Sequence, residues 1–159
     1  GYIAALCSRI RAAIALKPPD HVVLTFHGLP ARYVTSGDPY REHCDRTVAA
    51  LTRAMGWNPG DYTVAFQSRF GPEKWLGPST AEILEGLHTR GVRRPLVVAP
   101  GFTTDCLETL DELGNEGLHQ FIKGGGAGSD YALCPCLNDH ETWIETMVGL
   151  VKGSSPTKP

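Results

Sequence analysis

Apolar side chains along the chain alternate between helical spacing and short continuous runs of strand-forming residues. Apolar positions recurring every three or four residues predict helices over about 2–16, 40–55 and 79–87. The same spacing predicts a long helix from about Thr104 to the glycine-rich turn at 124–128. A last helix is predicted after a cap at Asn138 or Asp139. Continuous runs rich in β-branched and aromatic residues predict strands over 21–26, 62–67, 95–99 and 131–134. Prolines and glycines separate these elements.

Strands that alternate with helices predict a parallel sheet, because each helix returns the chain to the same end of the sheet. The predicted fold class is α/β: a three-layer, four-stranded parallel sheet with helices on both faces, resembling half of a Rossmann-type fold. One domain is expected over 1–152, followed by a disordered tail over 153–159 without an apolar anchor. Ligands bind such sheets beyond the carboxyl ends of the strands, that is, at the loops after His27, Gln67 and Pro100.

Composition narrows the classes of function. A formal net charge of −2 over 159 residues gives no basic surface for nucleic acid. No apolar run approaches the roughly 18 residues of a membrane-spanning helix, and peripheral membrane contact stays open. Five cysteines, an odd number, indicate a reducing compartment rather than a disulfide framework. Only Cys134 and Cys136 are closely spaced, and without a second pair we interpret them as buried thiols rather than as a zinc site.

His27 directly follows the first predicted strand, in the sequence His27-Gly28-Leu29-Pro30. The strand would hold it rigidly at the rim of the sheet, while Gly28 permits an unusual backbone angle and Pro30 fixes the exit. A neutral imidazole can accept a proton or bind a borderline metal. A structural histidine explains the same position, so the residues alone leave both interpretations open.

The loop after the second predicted strand combines polar side chains with two rings, Phe70 and Trp75. Rings at this edge can line a pocket for a flat apolar ligand, and Arg69 can bind a carboxylate through two hydrogen bonds. A surface loop whose rings pack beneath it is the alternative.

Glu108, Glu112 and Glu116 repeat every four residues and therefore share one face of the predicted helix. Asp105 is expected to join that face. Mutual repulsion raises the pKa of some carboxyls in such a row, which suits them to pass protons or to attract cations. A solvated outer face is the usual explanation of an acidic stripe, but the start of this one beside a strand end keeps an inward-facing stripe open.

Six short motifs resemble, in order and spacing, the ferrochelatase family, and particularly its bacterial members of proteobacterial type. The motifs are His27-Gly28-Leu29-Pro30, Gly37-Asp38-Pro39-Tyr40, Gln67-Ser68-Arg69-Phe70-Gly71, Trp75-Leu76, Pro100-Gly101-Phe102 and Asp105-Cys106-Leu107-Glu108-Thr109-Leu110. The resemblance runs from about Tyr2 to Leu150, nearly the whole chain. Agreement of six separated motifs makes it specific.

The resemblance implies an enzyme with two similar α/β halves around a porphyrin cleft, of which this chain corresponds to the C-terminal half. The implied reaction inserts ferrous iron, as the metal substrate, into protoporphyrin IX to form heme. The implied location is the cytoplasm, with peripheral contact to the inner membrane left open. The resemblance assigns catalysis and metal contact to His27 and Glu108. It assigns a polar path for protons or metal to Asp105, Glu112 and Glu116, and porphyrin contacts to Gln67, Ser68, Arg69 and Trp75.

The family's N-terminal half, which supplies the opposing wall of the cleft, is expected to be missing, so the chain alone is expected to fold without being active. No iron–sulfur cluster is expected, because no cysteine follows Val151 and the stretch Pro135–Asn138 resembles cluster-free members. Two alternatives remain for the function: a related chelatase that loads cobalt or nickel into a tetrapyrrole, and a non-catalytic tetrapyrrole-binding fragment.

Overall fold

The structure, a computed structural model, describes residues 1–153, and the remainder of the predicted tail, 154–159, lies outside the described residues. The strands are β1 His21–His27, β2 Tyr62–Gln67, β3 Pro95–Val98 and β4 Ala132–Leu133. The helices are α1 Tyr2–Leu16, α2 Ala31–Thr35, α3 Tyr40–Met55, α4 Thr80–Gly86, a π-helix Glu108–Glu116, α5 Gly117–Lys123 and α6 Glu141–Gly153. Short 3₁₀ turns occupy His88–Arg90 and Gly128–Asp130.

The four strands form one parallel sheet in the order β2-β1-β3-β4. The register of β1 and β2 places His27 beside Gln67 at the carboxyl edge. The chain runs from β1 to β2 on one side and then crosses to β3 on the other, so the strand order reverses next to β1. Open α/β sheets bind ligands at the carboxyl edge of such a switch point.

Side chains of β1 alternate between two buried layers, as the pleat of a strand requires. Val22, Leu24 and Phe26 pack with residues of α1, α3 and α6. Val23 packs on the opposite face with residues of α4, the π-helix and α5. Helices thus cover both faces, and the predicted three-layer parallel α/β fold is confirmed.

The segment between His27 and Pro39, predicted as a loop, contains the short helix α2. The main-chain N–H of Ala31 donates to the carbonyl of Lys74 at 2.8 Å, and Pro30, whose φ is fixed, precedes the first turn. Five residues held by a neighbouring loop show too little periodicity to be recognised in the sequence.

The acidic helix starts later than predicted and is wider. It begins at Glu108 rather than near Thr104, so the predicted cap at Thr104 is wrong. The main-chain N–H of Gly117 donates to the carbonyl of Glu112, five residues back, which is the π-helical pattern.

The cap predicted at Asn138 or Asp139 is also wrong, because α6 begins at Glu141.

Candidate functional site

His27 ends β1 at the switch point, where contacts from two other segments hold it. Its main-chain carbonyl accepts a hydrogen bond from the Tyr40 hydroxyl at 2.8 Å. Its ring lies edge-on to Phe102 in the loop after β3, with the ring centroids 6.3 Å apart. The imidazole is half-buried and carried by a rigid strand, which suits it to accept a proton or to bind a metal from a fixed position.

Gln67 connects the carboxyl edge of the sheet to the π-helix. The side chain is 3% exposed, and its Oε1 accepts a hydrogen bond from the Thr25 hydroxyl at 3.1 Å. Its Nε2 donates to the main-chain carbonyl of Glu108 at 3.2 Å and lies 3.5 Å from the Glu112 carboxylate. The amide therefore fixes the start of the π-helix relative to His27, the strand neighbour of Gln67.

Ser68 binds the second carboxylate of the row. Its main-chain N–H and its hydroxyl donate to Glu112 at 2.5 and 2.6 Å. The backbone of Ser68 has φ 62°, a left-handed conformation that few residues other than glycine adopt and that turns the loop toward the helix. Hydrogen bonds to an ionised acceptor are stronger than neutral ones, so this pair ties the loop after β2 to the π-helix.

Glu108 is half-buried at the first position of the π-helix. Hydrogen bonds from its own main-chain N–H and from the Cys106 thiol, together with the charge of His27, hold the pKa of its carboxyl below the ordinary value. The charge of His27 makes the smallest of these contributions. Glu108 is therefore a carboxylate at neutral pH.

Two adjacent pockets follow the acidic face of the π-helix. A shallow one of about 370 Å³ is lined by Glu108, Glu112 and Glu116 together with Ser68, Arg69, Phe70, Leu107 and Asp111. A more enclosed one of about 210 Å³ shares Ser68, Arg69, Glu112 and Glu116 and continues toward the start of α4. The structure thus brings the three predicted glutamates together, whereas His27 and Trp75 line neither of these pockets.

Asp105 does not join the acidic face, and that part of the sequence prediction is wrong. Its carboxylate accepts hydrogen bonds from the Asn138 side chain at 2.6 Å and from the main-chain N–H of Cys136 at 3.0 Å. Partial burial works to raise the pKa of Asp105, but these hydrogen bonds outweigh it, so the pKa lies below the ordinary value. Asp105 therefore fastens the segment before the π-helix to the loop after β4.

Arg69 and Trp75 lie on different sides of the site. The exposed Arg69 guanidinium is 3.8 Å from the carboxylate of Glu82 on α4. Trp75 forms a bridge with Pro30 in the loop after His27. A Cβ on Gly28 would come within 2.7 Å of the Gln67 main-chain carbonyl and 3.2 Å of the Trp75 ring, so glycine permits the close approach of both. The buried indole N–H of Trp75 has no hydrogen-bond partner among the described residues.

Several residues around the site were assigned no role by sequence reasoning. Thr25 and Thr80 are buried and bond to each other at 2.7 Å beside Gln67. A threonine within the apolar run of β1 was the available signal for Thr25. Tyr40 and Phe102 belong to two of the six motifs, but only the structure places them against His27.

Within residues 1–153, no three His, Cys, Asp or Glu side chains converge in a way that can hold a metal ion. No helix in that range is long and apolar enough to cross a membrane. All five cysteines are free thiols, of which only Cys106 is not buried.

Comparison with known proteins gives a consistent family match. The model of the family described as Ferrochelatase matches residues 1–155. The protein named Ferrochelatase from Edwardsiella ictaluri is 45% identical over 151 residues, which are 94% of this chain and 46% of that protein. Ferrochelatase from Gluconobacter oxydans is 42% identical over 143 residues (90% of this chain, 41% of the relative), and Ferrochelatase 1 from Shewanella oneidensis is 43% identical over 152 residues (95% and 45%). The chain spans less than half the length of each of these relatives.

Fold and site together define an α/β protein that presents a histidine and a row of carboxylates at the carboxyl edge of a parallel sheet. The chain belongs to the ferrochelatase family. The family predicted from the six motifs is confirmed.

The hydrogen bonds of Asp105 make its contribution to stability dependent on pH. Because its pKa is depressed in the folded chain, this contribution is complete above the unfolded value of about 3.9 and is lost as the pH falls through the lower folded value. In urea denaturation, we expect Asp105→Asn to lower the free energy of unfolding by about 1–3 kcal/mol at pH 7. The difference from the unchanged chain should shrink below about pH 4.

The matched control is Asp139→Asn at an exposed position, which should change the free energy of unfolding by no more than about 0.5 kcal/mol. An effect of Asp105→Asn that is the same at pH 7 and at pH 3 would show that its charge does not stabilise the fold.

Proposed function

We propose that this chain supplies one half of the active site of an enzyme that inserts ferrous iron into protoporphyrin IX to form heme. The observation that carries the proposal is geometric: His27 ends β1 at the switch point, and Gln67, its partner on β2, donates a hydrogen bond to the main-chain carbonyl of Glu108. Membership of the ferrochelatase family and the names of the relatives support this choice of reaction.

Metal insertion requires two pyrrole protons to leave the porphyrin as its nitrogens bind the metal. In the proposed mechanism His27 either accepts a pyrrole proton or binds the incoming iron, since a neutral imidazole can do both. Glu108, an ionised carboxylate held at the same edge of the sheet through Gln67, compensates positive charge on the imidazole or on the metal. The dication that enters balances the two protons that leave, and Glu112 and Glu116 extend the polar path away from the site.

An apolar rim beside the carboxylates supports the proposal that the ligand is flat and apolar. Phe70 and Leu107 are 84% and 75% exposed, and both line the shallow pocket with Glu108. Large exposed apolar side chains near a few polar groups are typical of ligand sites. A porphyrin has this character, with broad apolar faces around a polar centre. We propose that Gln67, Ser68, Arg69 and Trp75 border it.

We also propose that residues 1–152 correspond to the C-terminal half of the family and that the N-terminal half supplies the opposing wall. The order of the six motifs supports this assignment. The chain spans less than half the length of these relatives, and His27 lies outside the two pockets that follow the acidic face of the π-helix. A cleft completed by a second half accounts for both observations.

The reaction is tested most sharply in a chimera in which this chain replaces the matching part of the Edwardsiella ictaluri relative. We expect the chimera to insert Zn²⁺ or Fe²⁺ into protoporphyrin, measured by the change in absorbance, because both walls of the cleft are then present. This chain alone and the truncated relative alone should show no insertion. A folded chimera that binds porphyrin without metallating it would favour the non-catalytic alternative. Insertion of Co²⁺ or Ni²⁺ that is faster than insertion of Fe²⁺ would favour the related chelatase that loads cobalt or nickel.

Within that chimera, we expect His27→Ala to lower kcat by roughly 100-fold or more, the usual contribution of a positioned proton acceptor. Glu108→Gln should lower kcat in the same direction, because it removes the charge but preserves the shape. Porphyrin affinity, measured by fluorescence quenching, should be retained in both variants.

His43→Ala is the matched control, because His43 is exposed on α3. If His27→Ala turns over as fast as this control, His27 takes no part in the reaction.

A further inference from the structure

Three polar side chains lie buried in a line beneath the site. Thr25 lies within β1 with no exposed surface, and Thr80 and Gln67 are each 3% exposed. Polar groups away from water are retained where hydrogen bonds satisfy them. Here the hydroxyl of Thr25 is 2.7 Å from that of Thr80 and 3.1 Å from Oε1 of Gln67.

The hydrogen bonds of this line run in one direction. The single hydroxyl hydrogen of Thr25 is donated to Gln67, so in the other bond the hydrogen comes from Thr80. This bonding leaves the Nε2 hydrogens of Gln67 for the Glu108 carbonyl and the Glu112 carboxylate. A rotated amide would direct Oε1 at those two acceptors, so the Thr25 hydroxyl and the π-helix select the same amide orientation.

Thr80 is held in place by the adjoining strand. Pro78 accepts a hydrogen bond from the main-chain N–H of Phe66 at 2.9 Å, and Ser79 forms a bridge with Phe66. Thr80 begins α4, and its side chain bonds to Thr25 across the layer boundary rather than capping its own helix. The two hydroxyls therefore connect α4 and β1 to the amide that reaches the acidic helix.

We propose that Thr25 and Thr80 are positioning residues that act through Gln67 to hold Glu108 and Glu112 in place relative to His27. The expected effect of these threonines on metal insertion rests on the proposed function. Thr25 lines neither pocket and Thr80 lines only the more enclosed one. The hydroxyls of the two threonines bond to each other, and that of Thr25 bonds to Gln67 rather than to a glutamate, so their effect is on the alignment of the carboxylates.

The test compares substitutions that differ only in the hydroxyl. Thr25→Val removes it at nearly constant shape, and Thr25→Ser retains it. Thr52→Val, at a threonine in α3 that is 8% exposed, controls for the loss of a buried hydroxyl elsewhere. Thr80→Val serves as the second variant if Thr25→Val does not fold.

The first measurement is hydrogen exchange of the Gln67 side-chain amide in this chain by NMR. We expect slow exchange in the unchanged chain, in Thr25→Ser and in Thr52→Val, and exchange faster by roughly tenfold or more in Thr25→Val, as a lost hydrogen bond requires. Equal exchange in Thr25→Val and Thr52→Val would overturn the proposal.

The second measurement is metal insertion by the same variants in the chimera. A small misplacement of reacting groups slows a reaction by roughly 10- to 100-fold. We therefore expect kcat to fall by this amount in Thr25→Val while the KM for porphyrin stays unchanged. Thr25→Ser should retain the kcat of the unchanged chimera. A kcat in Thr25→Val equal to that in Thr52→Val would overturn the positioning role even if the amide exchanges faster. An inactive unsubstituted chimera would contradict the proposed function instead, and the exchange rates would then decide whether the threonines hold the amide.

Discussion

The side-chain amide of Gln67 joins two layers of the fold, and the alignment of the site depends on that connection. Main-chain hydrogen bonds of the parallel sheet fix Gln67 beside His27. A single side-chain hydrogen bond of 3.2 Å to the carbonyl of Glu108 then transmits this alignment to the π-helix. The two hydrogen bonds from Ser68 to Glu112 add to this connection between the strand edge and the helix.

The π-helix gives neighbouring carboxylates different surroundings. π-Helical turns are rare and occur mostly at functional sites. Glu112 accepts hydrogen bonds from the main-chain N–H and the hydroxyl of Ser68. Glu108, one turn earlier, has hydrogen bonds from its own backbone and from Cys106, and interacts with His27. Two residues of one acidic row thus have different surroundings: Glu112 ties the π-helix to the loop after β2, and Glu108 is the carboxylate that we propose to act with His27.

Periodicity was sufficient for the fold because elements such as α1, α3 and β2 depend on local apolar patterns. It failed at Asp105, because the start of the acidic helix is set by hydrogen bonds to the loop after β4, about thirty residues away in the chain. The four-residue spacing predicted the row of Glu108, Glu112 and Glu116, but the pattern of a strand does not reveal which hydroxyl a buried threonine faces. For the same reason, the contacts of Tyr40 and Phe102 with His27 required the structure.

The most direct measurement of whether His27 and Glu108 form one site is the titration of the Glu108 carboxyl by ¹³C NMR in this chain. Hydrogen bonds from the Glu108 main-chain N–H and from the Cys106 thiol hold the pKa of Glu108 below its ordinary value, and the charge of His27 adds a smaller contribution, so this pKa should rise in His27→Ala. His43→Ala, at an exposed histidine of α3, is the matched control and should leave the pKa of Glu108 unchanged. A pKa of Glu108 that is unchanged by His27→Ala would contradict a shared site.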